Sequence, residues 1–190
     1  MALSKYSEKR DFSKTPEPRS EKKSGSEDLI FVVQKHNATN LHYDFRLEVR
    51  GVLKSWAVPK GPSLNPSNKR LAMMVEDHPF DYKDFEGIIP HDEYGGGEVI
   101  IWDTGTFHAP SAADRNESEK LMYEGLKKGE IKFLLNGKKL KGEFALVKMK
   151  GRGENAWLLI KRRDEFASEE NVLDQDKSVI SGKSIEDLQN

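Results

Sequence analysis

The sequence predicts a mainly β fold, a small closed or nearly closed barrel of about eight strands with one or two short helices. Three observations carry that prediction. Short runs rich in Val, Ile, Phe, Tyr and Trp recur along the middle of the chain, Gly, Asn, Pro or Lys turns bound each run, and a single segment has the period and end signals of a helix. A sheet of many short strands in a chain of 190 residues is expected to close or bend strongly, because an open sheet leaves unpaired edges.

Residues 1–27 are rich in Lys, Glu, Ser and Pro and have no apolar period. They read as an arm without a core of its own, able to fold over a site. Strands are expected at Leu29–His36, Leu41–Arg50, Val52–Pro59, Arg70–Asp77, Glu98–Phe107, Glu130–Leu135, Gly142–Lys150 and Ala156–Arg163. Asn37-Ala38-Thr39-Asn40 has the composition of a hairpin loop, and Pro79–Phe85 that of a short helical turn. One helix is expected over Glu117–Lys128, with Asn116 as N-cap, Glu119 completing a capping box and Gly129 as the stop. Beyond Arg163 the apolar residues thin out, so 172–188 is either a docked segment or a loose tail. The expected organisation is an arm at 1–27 contributing to the site, a barrel domain at 28–163 and an acidic tail at 164–190.

Charged residues make up 33% of the chain and hydrophobic ones 36%, which supports one core and no second large domain. No apolar run approaches the roughly 18 residues of a membrane span, and the first fourteen residues are polar where a signal peptide would be apolar. A soluble, cytoplasmic protein without a membrane partner is therefore expected. The absence of cysteine removes disulfides, thiolate metal sites and a cysteine nucleophile, leaving His, Asp and Glu as the strong metal ligands. The net charge of −1 hides an asymmetry: residues 127–163 hold twelve Lys or Arg against three Glu, and 164–190 hold eight acids against two Lys. A basic body with an acidic tail is compatible with a nucleic-acid partner, and equally with solvated lysines and a disordered tail.

Side chains alternate faces along a strand, so in Leu41–Val49 the residues His42, Asp44, Arg46 and Glu48 share one face and five apolar residues the other. If the hairpin pairs so that partner numbers sum to 78, His36 stands across from His42 and Gln34 across from Asp44. Cross-strand neighbours lie about 4.5 to 5.5 Å apart at Cβ, close enough for two imidazoles and a carboxylate to share one divalent ion. A polar strand face with surface hydrogen bonds is the plain alternative. Arg46, on the same face, can hold a phosphate oxygen with its fork of donors. His78 ends a strand, and Lys60 sits in a stiff Pro-Lys-Gly-Pro turn, both read equally well as ordinary turn residues. Tyr94-Gly95-Gly96-Gly97 lacks the helix and lysine of a phosphate loop and reads as a turn or bulge.

Taken together, Gln34-Lys35-His36, Leu41-His42-Tyr43-Asp44-Phe45-Arg46-Leu47-Glu48, Leu53 to Pro62, Glu76-Asp77-His78-Pro79, Tyr82, Phe85-Glu86-Gly87 and Tyr94-Gly95 resemble the 3′-phosphoesterase domain of bacterial DNA ligase D in its free-standing form, over about Lys5 to Arg163. The resemblance implies a manganese-dependent enzyme, with another divalent transition metal as the alternative, on a β-barrel-like fold. It implies removal of a 3′-phosphate and of a 3′-terminal ribonucleotide from DNA or DNA–RNA primer-template ends, leaving a 3′-OH for end joining. His36, His42 and Asp44 match the family's metal ligands. Arg46, Arg70, His78, Lys60 and Tyr82 match positions that bind phosphate or assist the chemistry, with His78 donating to the leaving 3′-oxygen and Tyr82 orienting the phosphate. Gln34 belongs to the same shell, and Arg10, Asp11 and Glu17 in the arm match substrate-binding positions.

No Lys-x-Asp-Gly nucleotidyl-transfer motif is present, so a separate DNA ligase and repair polymerase are the expected partners. Two other classes stay open on the residues: a non-catalytic nucleic-acid-binding β-barrel module, and a barrel metallo-oxygenase built on two His and a carboxylate. Oxygen chemistry does not call for the cations Arg46, Lys60 and Arg70.

Overall fold

A computed structural model describes residues 2–21, 23 and 27–190, so Met1, Lys22 and 24–26 of the expected arm lie outside the described residues. Nine strands form one antiparallel sheet: β1 (Leu29–Asn37), β2 (Leu41–Val49), β3 (Val52–Val58), β4 (Arg70–Pro79), β5 (Gly87–Ile89), β6 (Gly97–His108), β7 (Glu130–Gly137), β8 (Lys141–Lys148) and β9 (Ala156–Lys161). The order β1-β2-β3-β4-β9-β8-β7-β6 closes on itself because β6 also pairs with β1, giving an eight-stranded barrel with β5 added at β6. All eight expected strands are present. The three-residue β5 carries too little pattern to be read in advance.

Alternation decides what fills the barrel. Tyr43, Phe45, Leu47 and Val49 of β2 point inward to meet Trp56, Trp102, Trp157, Phe133 and Phe144 in one buried cluster. Burying each such side chain is worth about 1.5 to 3 kcal/mol. The β2–β3 hairpin turns on Arg50 and Gly51, both at positive φ (52° and 77°), the mirror-image turn that matches strand twist.

The outward face of β1 and β2 is not left to solvent. A second apolar cluster of Tyr6, Val32, Leu53, Phe80, Tyr82, Phe85, Ile89, Val99 and Ile101 covers it. Its parts come from the arm, where α1 (Ser4–Glu8) carries Tyr6, from the 3-10 turn Phe80–Asp84, and from β5. The polar row of β2 is therefore buried: Asp44, Arg46 and Glu48 are all nearly inaccessible.

Helix α2 (Arg115–Lys128) starts earlier than the sequence suggested. Asp114 is the N-cap, accepting from the Glu117 N–H, while Glu117 reaches back to the Ala113 N–H. Asn116 therefore lies inside the first turn. Glu119 caps nothing and instead accepts from the Arg50 N–H at 2.7 Å, tying the helix to the β2–β3 turn. The C-terminal segment is docked. Val172 joins the main core, Gln175 O accepts from Trp102 Nε1 at 2.6 Å, the Val179 N–H donates to Ile101 O, and α3 (Ile185–Gln189) buries Ile185 behind a capping box of Ser184 and Asp187. Among the described residues no helix is long and apolar enough to cross a membrane.

Candidate active site

The β1–β2 register is the one the hairpin predicts, His36 opposite His42 and Gln34 opposite Asp44. It leaves the two imidazole centroids 4.8 Å apart. His36 Nδ1 lies 3.4 Å from Asp44 Oδ2, and His42 Nε2 lies 3.4 Å from Asp44 Oδ1. The other nitrogen of each ring meets a backbone carbonyl, His36 Nε2 on Gly95 O at 2.7 Å and His42 Nδ1 on Asn40 O at 2.9 Å. A carbonyl can only accept, so the outer nitrogens carry the hydrogens in the neutral rings and the inner ones keep lone pairs turned toward Asp44.

The carbonyl on the far nitrogen thus fixes the tautomer and the orientation of each ring. One ligand atom from each of His36, His42 and Asp44 lies within 4.8 Å of the others, and the donor set of two nitrogens and an oxygen suits a divalent transition metal. Electrostatics prepare the same group. Burial opposes ionisation of Asp44, but the Arg46 guanidinium first, and then each imidazole when its inner nitrogen is protonated, outweigh it and hold the carboxyl well below the usual range. Burial also lowers the pKa of His42, and the hydrogen bond and charge of Asp44 outweigh that and raise it.

Arg46 is almost fully spent on positioning. Its Nε donates to Gln34 Oε1 at 2.8 Å, its Nη2 lies 3.4 Å from Asp44 Oδ2, and its guanidinium stands 4.9 Å from the Tyr82 ring centre. Gln34, with no exposed surface, gives its own amide hydrogens to the carbonyls of Tyr82 and Phe85. One donor is left over: Arg46 Nη1 is buried and has no partner among the described residues. An unpaired buried donor on a cation is expensive, and this one stands beside the His36, His42 and Asp44 cluster.

The arm closes the opposite wall. Arg10 Nε bonds Glu17 Oε2 at 2.9 Å, Arg10 Nη1 donates to Tyr6 O, and Arg10 Nη2 stands 3.5 Å from His78 Nε2. Glu17 also accepts from the Tyr82 hydroxyl at 2.7 Å and from Thr15 Oγ1 at 3.0 Å. Burial and the adjacent Glu17 carboxylate push the Tyr82 phenol well above its ordinary value, so it stays a donor. His78 Nδ1 meets Glu76 O at 2.9 Å, which leaves its Nε2 lone pair facing Arg10. Burial, followed by the positive charges of Arg46 and Arg10, holds the His78 pKa well below the ordinary imidazole value.

A cavity of about 210 Å³ results, lined by His36, His42, Asp44, Arg46, His78, Tyr82 and Arg10 together with Glu76, Tyr94 and Gly95. Gln34 and Glu17 stand one layer behind it. Asp11 is exposed and takes the Ser13 N–H and hydroxyl, fixing a turn of the arm. Lys60 is exposed in the turn after β3, and Arg70 opens β4 opposite Leu159, so neither lines the cavity. Sequence reasoning missed Glu76, which pairs with Lys9 at 3.2 Å and Arg10 at 3.6 Å, and Tyr94, whose hydroxyl accepts from Lys9. It also missed Tyr6, buried against the His78 and Tyr82 rings. An acid two residues before His78 was a signal for Glu76, while an arm without periodicity gave none for Tyr6.

The model of the DNA ligase D 3′-phosphoesterase domain matches residues 34–148. The chain is 51% identical over 190 residues to the multifunctional non-homologous end joining protein LigD of Pseudomonas aeruginosa, covering 96% of the chain and 22% of that protein. It is 45% identical over 157 residues to the LigD of Mycobacterium tuberculosis, covering 82% and 19%, and 41% identical over 170 residues to that of Mycolicibacterium smegmatis, covering 86% and 21%. The chain spans about a fifth of the length of these curated relatives. With the site's residues inside or beside the matched span, the chain belongs to the DNA ligase D 3′-phosphoesterase domain family.

Proposed function

We propose that this chain is a metal-dependent phosphoesterase that processes the 3′ ends of broken DNA, or of DNA carrying a terminal ribonucleotide, and leaves a 3′-OH for end joining. The observation that carries this reading is the unpartnered Arg46 Nη1, buried beside the His36, His42 and Asp44 cluster. A phosphate oxygen is the ligand that satisfies both at once.

In the reaction, water adds to phosphorus, the bond from phosphorus to the 3′-oxygen breaks, and that oxygen takes a proton, giving a 3′-OH and inorganic phosphate. His36, His42 and Asp44 would hold the ion, with manganese the first candidate. The chemistry an ion supplies there is Lewis acidity toward a phosphoryl oxygen and acidification of water toward a pKa of about 7. Arg46 Nη1 donates to an equatorial oxygen and Arg10 neutralises charge from the arm side. Tyr82 acts through others, because its hydroxyl is committed to Glu17 while its ring backs Arg46. His78 begins neutral with Nε2 as an acceptor. A phosphate dianion between Arg46 and Arg10 offsets their charge and raises the His78 pKa, so Nε2 takes up a proton that it can deliver to the leaving 3′-oxygen. Lys60, exposed beyond the strand that contributes Ala57 to the cavity wall, and Arg70 are assigned to the strand leading into the cavity rather than to the phosphorus.

The experiment is a metal series with primers ending in a 3′-phosphate or a 3′-ribonucleotide, read as product length. Manganese-dependent release of phosphate from the first primer and shortening of the second by its ribonucleotide, each leaving a 3′-OH, are expected. Binding without product in every metal would favour the non-catalytic module, and iron-dependent oxygen consumption without phosphate release would favour an oxygenase.

A further inference from the structure

The basic segment noted in the sequence divides into two halves with different fates. At one end the docked C-terminal segment uses the cations. Lys139 Nζ donates to the carbonyls of Gln175 and Lys177, and Lys161 pairs with Asp164 at 2.6 Å. At the other end nothing does. Lys128, Lys148, Lys150 and Arg152 are exposed and make no side-chain hydrogen bond or ion pair among the described residues, and Lys127 only lies over the Tyr123 ring. Four of these cations, Lys127, Lys128, Lys148 and Lys150, line an open concavity of about 560 Å³ between the end of α2 and the β8–β9 loop, and Arg152 stands between its lining residues Gly151 and Gly153. Its acids are Glu130, already near Lys132 at 3.8 Å, and Glu154.

Strand pairing joins this patch to the active site. Asp44 pairs with Ala57, Ala57 with Met73, and Met73 with Ala156, whose carbonyl accepts from the Met149 N–H. One row of neighbours thus runs from the metal-type cluster to the root of the basic loop. Asn155 of that loop also accepts from the Met74 N–H, next to Val75 in the cavity wall. Ala57 lines the cavity, and three strand steps of about 4.8 Å separate it from Met149, about 14 Å in all. Phosphates along one strand of a duplex advance about 3.4 Å each, so that distance corresponds to about four nucleotides.

We infer that the β8–β9 loop and the end of α2 form a second nucleic-acid contact, holding the backbone of the substrate strand about four nucleotides upstream of the 3′ end seated in the cavity. Neither element belongs to the site described above. The loop has no aromatic side chain on which bases could stack, and four of the five cations are lysines, so the contact is assigned to the phosphate backbone. Glycines at 151 and 153, whose positions have open space around them, let the backbone approach a phosphate closely.

The inference rests on the phosphoesterase reading, and its test separates the two. The triple variant Lys148→Gln/Lys150→Gln/Arg152→Gln is compared with the parent on a 3′-phosphorylated dinucleotide, too short to reach the loop, and on a long 3′-phosphorylated primer annealed to a template, across a salt series. The expected result is unchanged kcat/KM on the dinucleotide and a loss of about tenfold on the long primer. The slope of log kcat/KM against log salt for the long primer should become shallower by about 0.9 for each phosphate contact removed. Equal loss on both substrates, or none on either, overturns the inference. If the triple variant does not fold, Lys127→Gln/Lys128→Gln at the solvent-exposed helix end is judged by the same two outcomes. A parent enzyme that releases phosphate from neither substrate would instead refute the phosphoesterase reading.

Discussion

His36 and His42 hold their rings 4.8 Å apart across the β1–β2 hairpin, each with one nitrogen on a backbone carbonyl and the other on a different oxygen of Asp44. Orientation and charge of the cluster are thus set by the protein's own groups. Asp44→Asn keeps the shape but removes the charge and introduces an amide that can present hydrogens to lone pairs. It should abolish metal-dependent 3′-phosphate removal and weaken metal binding by more than a hundredfold, while His42→Ala should abolish activity with a cooperative melt retained. Calorimetric titration with Mn²⁺ and a thermal melt check both, and normal turnover in either variant would remove the metal assignment.

At the proposed metal site a proton and an ion would compete for His42 Nε2, and that competition has a sign. His42 titrates higher in the folded chain than its unfolded value of about 6.5, because Asp44 outweighs burial. Its contribution to metal-free stability is therefore full below about pH 6.5 and fades as pH rises through the raised value. Metal affinity runs the other way and weakens about tenfold per pH unit below that value. Melting the metal-free and Mn²⁺-loaded protein between pH 5.5 and 8 should show the gap in Tm widening as pH rises. His42→Gln should flatten the metal-free profile.

Much of this arrangement was legible in advance, for a physical reason. The β period of two fixes which side chains share a face, and a short hairpin loop fixes register, so His36, His42, Asp44 and Arg46 came together on spacing alone. The covering layer was not legible in spacing or period: Arg10 and Glu17 were reached only through the family resemblance, and Tyr6 not at all. Tyr6, Arg10 and Glu17 sit in an arm without apolar period, and they gain their place only through long-range partners such as Tyr82 and His78. The helix start was displaced because Asp114 and Asn116 are equally good caps in isolation, and the choice fell to the tertiary contact of Glu119 with Arg50.

Arg46→Lys tests whether the guanidinium fork matters beyond its charge. Nε serves Gln34, Nη2 faces Asp44 and Nη1 is unpartnered, three directions that one ammonium cannot cover. A fall in kcat of about 100- to 1,000-fold is expected, with Mn²⁺ affinity changed far less, because the lost contact is with the developing phosphoryl charge. Steady-state kinetics beside metal titration separate the two, and a loss confined to metal affinity would reassign Arg46 to the metal site.

Glu17 ties the arm to the site through Arg10, Tyr82 and Thr15. Glu17→Ala leaves the buried Arg10 with the longer 3.6 Å contact to Glu76 as its one carboxylate partner among the described residues, at a cost of about 3 kcal/mol. The barrel core does not depend on this contact, so the arm should undock while the barrel stays folded. Limited proteolysis should show cleavage before Leu29 at protease levels the parent survives, with the main transition little changed. Tyr82→Phe, which leaves Arg10 and Thr15 on Glu17, should cost about 1 kcal/mol and leave the arm protected.

Gly97 shows how a backbone position controls the metal-type cluster from outside it. Its φ is 138°, and a Cβ there would collide with the Asn37 carbonyl at the end of β1, immediately after His36. Two residues earlier, Gly95 supplies the carbonyl that orients His36. Gly97→Ala must push β6 off β1 or tilt the 94–97 turn, and either movement pulls that carbonyl from the His36 ring. Metal affinity should fall about 10- to 100-fold, the range for losing an outer-shell partner, together with a lower Tm. Gly153→Ala is the control: its φ of 86° is also strained for alanine, but no atom lies within 4 Å, so it should cost about 1 kcal/mol and leave metal affinity unchanged. Equal effects of the two substitutions on Mn²⁺ binding would mean that the close approach of Gly97 to Asn37 plays no part in orienting His36.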